Sequence, residues 1–276
     1  ALVFAGLVWI IGRPVSEADK TTVIGYVKKN SPAEKAGLRA GDRILSVDGR
    51  PVSRFSGIGD SIMWRVVSSE GDKIPIEVER DGKQMAFESD WIKEETKAWE
   101  RKSLRQIQIY PKKTPLVGQV EPNSPAAAAG LRANDVILEV DGNRLWCPEA
   151  LGEYIGEQGM KELKLKVLRG KQTIDVAVKP EMPIYPSEIP VEERRPLIGV
   201  AWERTGKWTV DHPAPTEQIV ASVGSMINTF GALFSSKSDV KAQHLSGPVG
   251  ILRIYYVLFE SEQGWRQAIW FSVILN

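Results

Sequence analysis

The chain of 276 residues holds one cysteine, Cys147, and two histidines, His212 and His244. A lone cysteine excludes an internal disulfide framework and leaves the compartment open. Two histidines make no zinc site, which takes about three protein ligands in one place. His212 is followed by Pro213 and His244 by Leu245, so no HExxH is present, and no Leu-Asp-Gly occurs. Each reads as a surface or packing histidine. Net charge is nearly absent as well, with 36 Lys and Arg against 35 Asp and Glu. A nucleic-acid partner usually demands a clustered basic excess. There is no Gly-Ser-Gly nucleophile segment and no phosphate-cradling glycine loop. Cys147 follows Trp146 with no evident base partner, so it reads as a core thiol. By the residues themselves, no catalytic and no metal-binding residue is expected in this chain.

What the chain does have begins at its first residue. Ala1 to Gly12 reads ALVFAGLVWIIG, without a charge, and Arg13-Pro14 ends the run. It lacks the basic start of a signal peptide and falls short of the ~20 residues of a membrane span. Residues 265–276, WRQAIWFSVILN, are apolar after Arg266. The expectation is an internal piece of a longer membrane protein, beginning and ending inside transmembrane helices.

Between these ends lies a repeat. Residues 30–49 read NSPAEKAGLRAGDRILSVDG and residues 123–142 read NSPAAAAGLRANDVILEVDG, identical at 15 of 20 positions with an offset of 93. A unit of that length is a domain rather than a solenoid turn, so two tandem domains are expected. Ser31 or Asn30 caps a short helix that Pro32 opens and Gly37 ends. Ile44, Leu45 and Val47 form a buried strand, closed by the Asp48-Gly49 turn. The second copy repeats this through Ser124, Pro125, Gly130, Ile137, Leu138, Val140 and Asp141-Gly142. Each copy then closes with a hairpin, residues 73–88 and 163–179.

Residues 91–105 are charged and read as a link. Residues 181–216 hold six prolines and favour an extended connector, with a strand at RPLIGVAWE, residues 195–203. Thr216 to Phe234 carries Ile219, Val223, Met226, Ile227 and Phe230 at helical spacing, opposite Ser222, Ser225 and Asn228. That amphipathic helix suits either a membrane surface or neighbouring protein helices. Ser246, within LSGPVGI at residues 245–251, then caps a further helix that runs on after Pro248.

A strand followed by SPAxxAGLxxGDxIxxVDG resembles the bacterial, circularly permuted PDZ domain. The resemblance implies that the motif itself is scaffold and that a peptide adds as an extra strand beside a helix. It places the first groove between residues 19–27 and the helix at 56–69, and the second between residues 110–120 and the helix at 148–158. Ile24, Gly25 and Tyr26, with Val117 and Gly118, are the peptide-binding residues it implies. The expected fold is α+β: two tandem permuted PDZ domains, each a small β-barrel or sandwich with two helices, flanked by partial transmembrane helices and an amphipathic helix. The expected parts are 1–12, end of a transmembrane helix; 13–92, first PDZ domain; 93–108, linker; 109–180, second PDZ domain; 181–216, connector; 217–244, amphipathic helix and loop; and 245–276, the SGPVG helix and the start of a transmembrane helix.

Taken together, the apolar start, the PDZ pair, RPLIGV, the amphipathic helix and LSGPVGI resemble the central part of the bacterial site-2 protease family, of the regulator of sigma-E protease type. That resemblance implies an intramembrane zinc metalloprotease of the bacterial inner membrane, with its PDZ pair on the periplasmic side. Zinc would belong to the parent and not to this chain, which would be inactive alone. The implied partners are the membrane and a pre-cleaved single-pass membrane protein, such as an anti-sigma factor. A non-catalytic, membrane-anchored tandem-PDZ adaptor is the alternative.

Overall fold

A computed structural model describes residues 2–57, 59–94, 103–185, 194–203, 207–235, 248–260 and 264–275. Helix α1 (Leu2–Ile11) stops at Gly12, whose φ of 72° suits glycine. Strand β1 (Arg13–Ser16) follows, then a single turn, α2 (Glu17–Lys20), capped where Ser16 Oγ accepts from Asp19 N. That cap holds residues 17–20 in a helical turn, and the strand expected within residues 19–27 forms at its far end, Ile24–Val27.

The first module contains β2 (Ile24–Val27), α3 (Pro32–Lys35), β3 (Arg43–Val47), β4 (Arg50–Pro51), α4 (Ile62–Ser68), β5 (Ile74–Arg80), β6 (Lys83–Ser89) and β7 (Ile109–Pro111). The second repeats it as β8 (Val117–Val120), α5 (Pro125–Ala128), β9 (Val136–Val140), β10 (Asn143–Arg144), α6 (Pro148–Gln158), β11 (Leu163–Arg169), β12 (Gln172–Val178) and β13 (Val200–Trp202). After them come β14 (Trp208–Asp211), α7 (Pro215–Phe234), α8 (Pro248–Glu260) and α9 (Gly264–Leu275).

Each module has one antiparallel four-stranded sheet, in order β4-β3-β5-β6 and β10-β9-β11-β12, and one two-stranded sheet, β2-β7 and β8-β13. Period-two alternation drives burial: Ile74, Ile76 and Val78 point inward from β5, as do Leu163, Leu165 and Val167 from β11. The repeated motif folds identically in both copies. Ser31 Oγ accepts from Glu34 N at 3.1 Å and Ser124 Oγ from Ala127 N at 3.2 Å. Gly37 and Gly130 then turn the chain with φ of 92° and 79°.

Beneath each turn sits a buried ion pair. Asp42, 1% exposed, accepts from Arg39 N and from Arg80 Nε and Nη2 at 2.8, 2.6 and 2.7 Å. Asp135 does the same with Arg132 N and Arg169. Both arginines also donate to the carbonyl of the helix-ending glycine, Gly37 or Gly130. The pair therefore staples the scaffold motif to the end of β5 or β11, an inner strand of the sheet.

The domain limits differ from those read in the sequence. Ile107, in the expected linker, is 2% exposed in the first core, and Ile198, in the expected connector, is 2% exposed in the second. Each module is completed by a strand that arrives late. The expected strand over 110–120 divides at Pro115, with Tyr110 and Pro111 serving the first module and Val117 onward the second. The expected helix over 56–69 starts at Ile62, because Ser61 Oγ caps Trp64 N and Gly57 and Gly59 take positive φ before it.

The remaining elements form a helical layer. Strand β1 pairs antiparallel with β14, Arg13 opposite Asp211. Helix α7 packs against α1 and α9, and Gln218, 1% exposed, donates to Ala5 O at 2.9 Å and Pro213 O at 2.8 Å. Its outer face leaves Val220, Ile227, Phe230 and Phe234 exposed, as α8 leaves Leu252, Tyr256 and Phe259. Among the described residues no helix is long and apolar enough to cross a membrane. Ser246, with the LSG start of its motif, and His244 lie outside the described residues.

Candidate peptide-binding edges

The five residues expected to meet a peptide stand one strand in from the outside. Strand β2 pairs along one edge with β7, Tyr26 opposite Tyr110 and Val27 opposite Ile109. Along its other edge Ile24 N donates to Asp42 O and Gly41 N to Ile24 O, both at 2.8 Å. Strand β8 is held the same way. It pairs with β13 on one side, while Val117 N donates to Asp135 O on the other. Ile24, Gly25 and Tyr26, and Val117 and Gly118, thus lie inside the pairing. A Cβ on Gly25 would come within 2.5 Å of Pro111 O, so this glycine serves the close approach of β7.

The outermost strands are β7 and β13. Among the described residues neither has a second strand partner. Both are launched alike. A buried isoleucine, Ile107 or Ile198, gives its carbonyl to Ala33 N or Ala126 N at the start of the scaffold helix. The next residue is left-handed: Gln108 at φ 61° and Gly199 at φ 78°. Its carbonyl accepts from Lys28 N or Glu121 N, and the edge strand begins. Sequence reading missed this second repeat, IQI at 107–109 against IGV at 198–200, because each copy lies in a stretch that looked like connector.

The second edge lies beside a helix. Arg195, four residues before β13 closes its launch turn, pairs with Glu153 of α6 at 2.9 Å. In the first module the approach to β7 is tied down by Arg105, which donates to Gly71 O at 2.8 Å just past α4 and lies 4.1 Å over the Trp91 ring.

Helix α6 also joins the modules. Glu149, Glu153 and Glu157, spaced four apart on one face, bind Lys113 at 2.6 Å, Arg195 at 2.9 Å and Lys29 at 3.0 Å. Tyr26 and Tyr110, 5.9 Å apart between ring centres, face this stripe. Burial, then the charge of Glu153, pushes the Tyr26 phenol up to about 12. Burial and the charges of Glu149 and Glu153 raise Tyr110 as well.

No group of three or more His, Cys, Asp or Glu able to hold a metal occurs among the described residues. His212 Nδ1 lies 3.0 Å from Trp9 O and anchors β14 to α1. Cys147 is fully buried, and burial pushes its thiol up to about 12.

Comparison with known proteins identifies the repeated module. The family model described as PDZ domain matches residues 23–80 and 116–169. The chain is 28% identical over 268 residues to the regulator of sigma-E protease RseP of Escherichia coli, covering 90% of this chain and 55% of that protein. It is 27% identical over 241 residues to a Neisseria meningitidis protein named provisionally as a zinc metalloprotease, covering 84% of this chain and 53% of that one. It is 34% identical over 149 residues to the Na(+)/H(+) exchange regulatory cofactor NHE-RF1 of Gallus gallus, covering 43% of this chain and 44% of that protein. The chain spans just over half the length of the two bacterial relatives.

Proposed function

We propose that this chain, a tandem-PDZ homologue of the regulator of sigma-E proteases, is the substrate-reading middle of an intramembrane zinc metalloprotease. The observation that carries the proposal is the pair of edge strands, β7 and β13, each with one side unpaired among the described residues, on a chain related to those proteases over nine tenths of its length. A peptide joins such an edge as one more strand. Its backbone bonds supply affinity, and side-chain pockets beside the helix supply choice. The peptide would be the end exposed when a single-pass membrane protein is first trimmed, and reading it would admit only trimmed substrates to the catalytic helices.

Zinc finds no fit among the described residues of this chain, so no step here runs through it. In the proposed parent it is held by HExxH and LDG segments outside this sequence. The apolar outer faces of α1, α7 and α8 suit the membrane, with the PDZ pair on its outer side and α1 and α9 continuing into spans.

A second reading, a non-catalytic adaptor, draws on the match to the exchange regulatory cofactor. The test is a cleavage assay with the full-length protein in vesicles, given a single-pass substrate either intact or trimmed. The proposal expects cleavage of the trimmed form alone. Equal cleavage of both forms refutes substrate reading, and cleavage of neither leaves the adaptor.

A further inference from the structure

The two edge strands are built alike but do not offer the same hydrogen bonds. In β7, Gln108 O accepts from Lys28 N, and just past the strand Lys112 N donates to Val23 O, so residues 108 and 112 turn toward β2. Peptide groups alternate in direction along a strand, which leaves Ile109 and Pro111 turned outward. In β13, Gly199 O accepts from Glu121 N, and Glu203 N donates to Leu116 O. Residues 199 and 203 thus turn toward β8, and Val200 and Trp202 turn outward. The two sets correspond position by position, 109 with 200 and 111 with 202.

The outward positions differ at one atom. Val200 and Trp202 each present an N–H and a carbonyl, so the β13 edge offers two donors and two acceptors. Ile109 presents both groups, but Pro111 has no N–H. The β7 edge therefore offers one donor and two acceptors. A strand laid along it would bring one of its carbonyls against the proline ring, where that carbonyl loses water and gains no partner. Native sheets blunt exposed edges with proline for this reason.

We propose that strand addition is confined to β13, through the peptide groups of Val200 and Trp202, and that β7 is a closed edge that completes the first core without taking a ligand. The inference rests on the reading of this chain as a peptide reader and names the module that reads. It also limits the partner. The residues opposite Val200 and Trp202 must each give an N–H and receive one. The partner is therefore an extended segment with no proline at those two places, and its backbone carries the affinity.

The probe is a short peptide selected by panning a random phage library against the full chain. With the peptide at saturation, residue-resolved amide exchange should slow at Val200 and Trp202 and stay unchanged at Ile109. Titration calorimetry should count one peptide per chain. Pro111→Ala supplies the missing donor on the same backbone. It should gain a second site with slowed exchange at Ile109, a site that the unsubstituted chain binds roughly tenfold or more weakly for want of that partner. Slowing at Ile109 equal to that at Val200 and Trp202, two peptides per unsubstituted chain, or a folded Pro111→Ala that still takes one would each overturn the proposal while strand addition stands. A bound peptide that slows exchange at neither edge, or a library that yields no binder, would overturn strand addition itself and the proposal with it.

Discussion

Removing the two halves of the Asp42–Arg80 pair should have unequal effects. In Arg80→Ala, the Asp42 carboxylate, 1% exposed in the intact pair, keeps one donor, Arg39 N. Stranding a buried charge in this way costs about 3–5 kcal/mol. In Asp42→Ala, the guanidinium keeps its bond to Gly37 O at 2.8 Å and its place 5.2 Å over the Phe87 ring. At 18% exposed it also reaches water, so the cost is about 2–3 kcal/mol. The double variant strands no charge, so it should cost less than the sum of the two, with a coupling above about 1.5 kcal/mol. Urea unfolding followed by the fluorescence of Trp64 and Trp91, both in the first module, measures all three. Arg80→Ala costing less than Asp42→Ala, or a coupling below about 0.5 kcal/mol, would refute the reasoning.

Further outcomes follow from the launch turns and the carboxylates. Gly199→Ala should destabilise the second module by about 2 kcal/mol or more, because it combines a left-handed φ with a Cβ placed 2.2 Å from that of Ser124. Gln108→Gly, at the matching left-handed position, should stabilise the first module by up to about 1 kcal/mol in urea unfolding. Acid should weaken the fold through Asp135 and Glu17. Burial pushes both carboxyls up, but hydrogen bonds from Arg169 and Arg132 N to Asp135, and from Thr114 and Lys207 N to Glu17, outweigh it, and both end below their ordinary values. A lowered folded value means that their stability is full above about pH 4.5, Glu17's ordinary value, and is lost as pH falls through the folded values. Asp135→Asn should flatten that acid limb in a series of urea midpoints from pH 7 to 3.

The scaffold was legible because local rules fix it. Serine, proline and glycine specify the short helix, and alternating Ile, Leu and Val specify the strands behind it. The Asp–Arg pairs were not legible as pairs. Asp42 and Arg80 lie 38 residues apart, and nothing local ties an arginine at the end of a hairpin strand to a turn aspartate. The strand expected at residues 195–203 is present as β13, but its place at the sheet edge was not legible, because the partners of β13 and β7, β8 and β2, lie about 80 residues earlier. A search for the second repeat would have found both edge strands, since an isoleucine followed two positions on by a β-branched residue recurs 91 positions apart. The acidic stripe of α6 was visible as Glu149, Glu153 and Glu157, but its partners come from three different parts of the chain.

The most direct test of the account is amide exchange on the full chain, with and without a saturating peptide whose sequence matches the exposed end of a trimmed substrate. Strand addition predicts slowed exchange within Val200–Trp202, within Ile109–Pro111, or within both, and little change at Ile24–Val27 and Val117–Val120, whose ladders are already closed. Protection confined to other parts of the chain, or no protection at a peptide concentration that saturates binding, would contradict it.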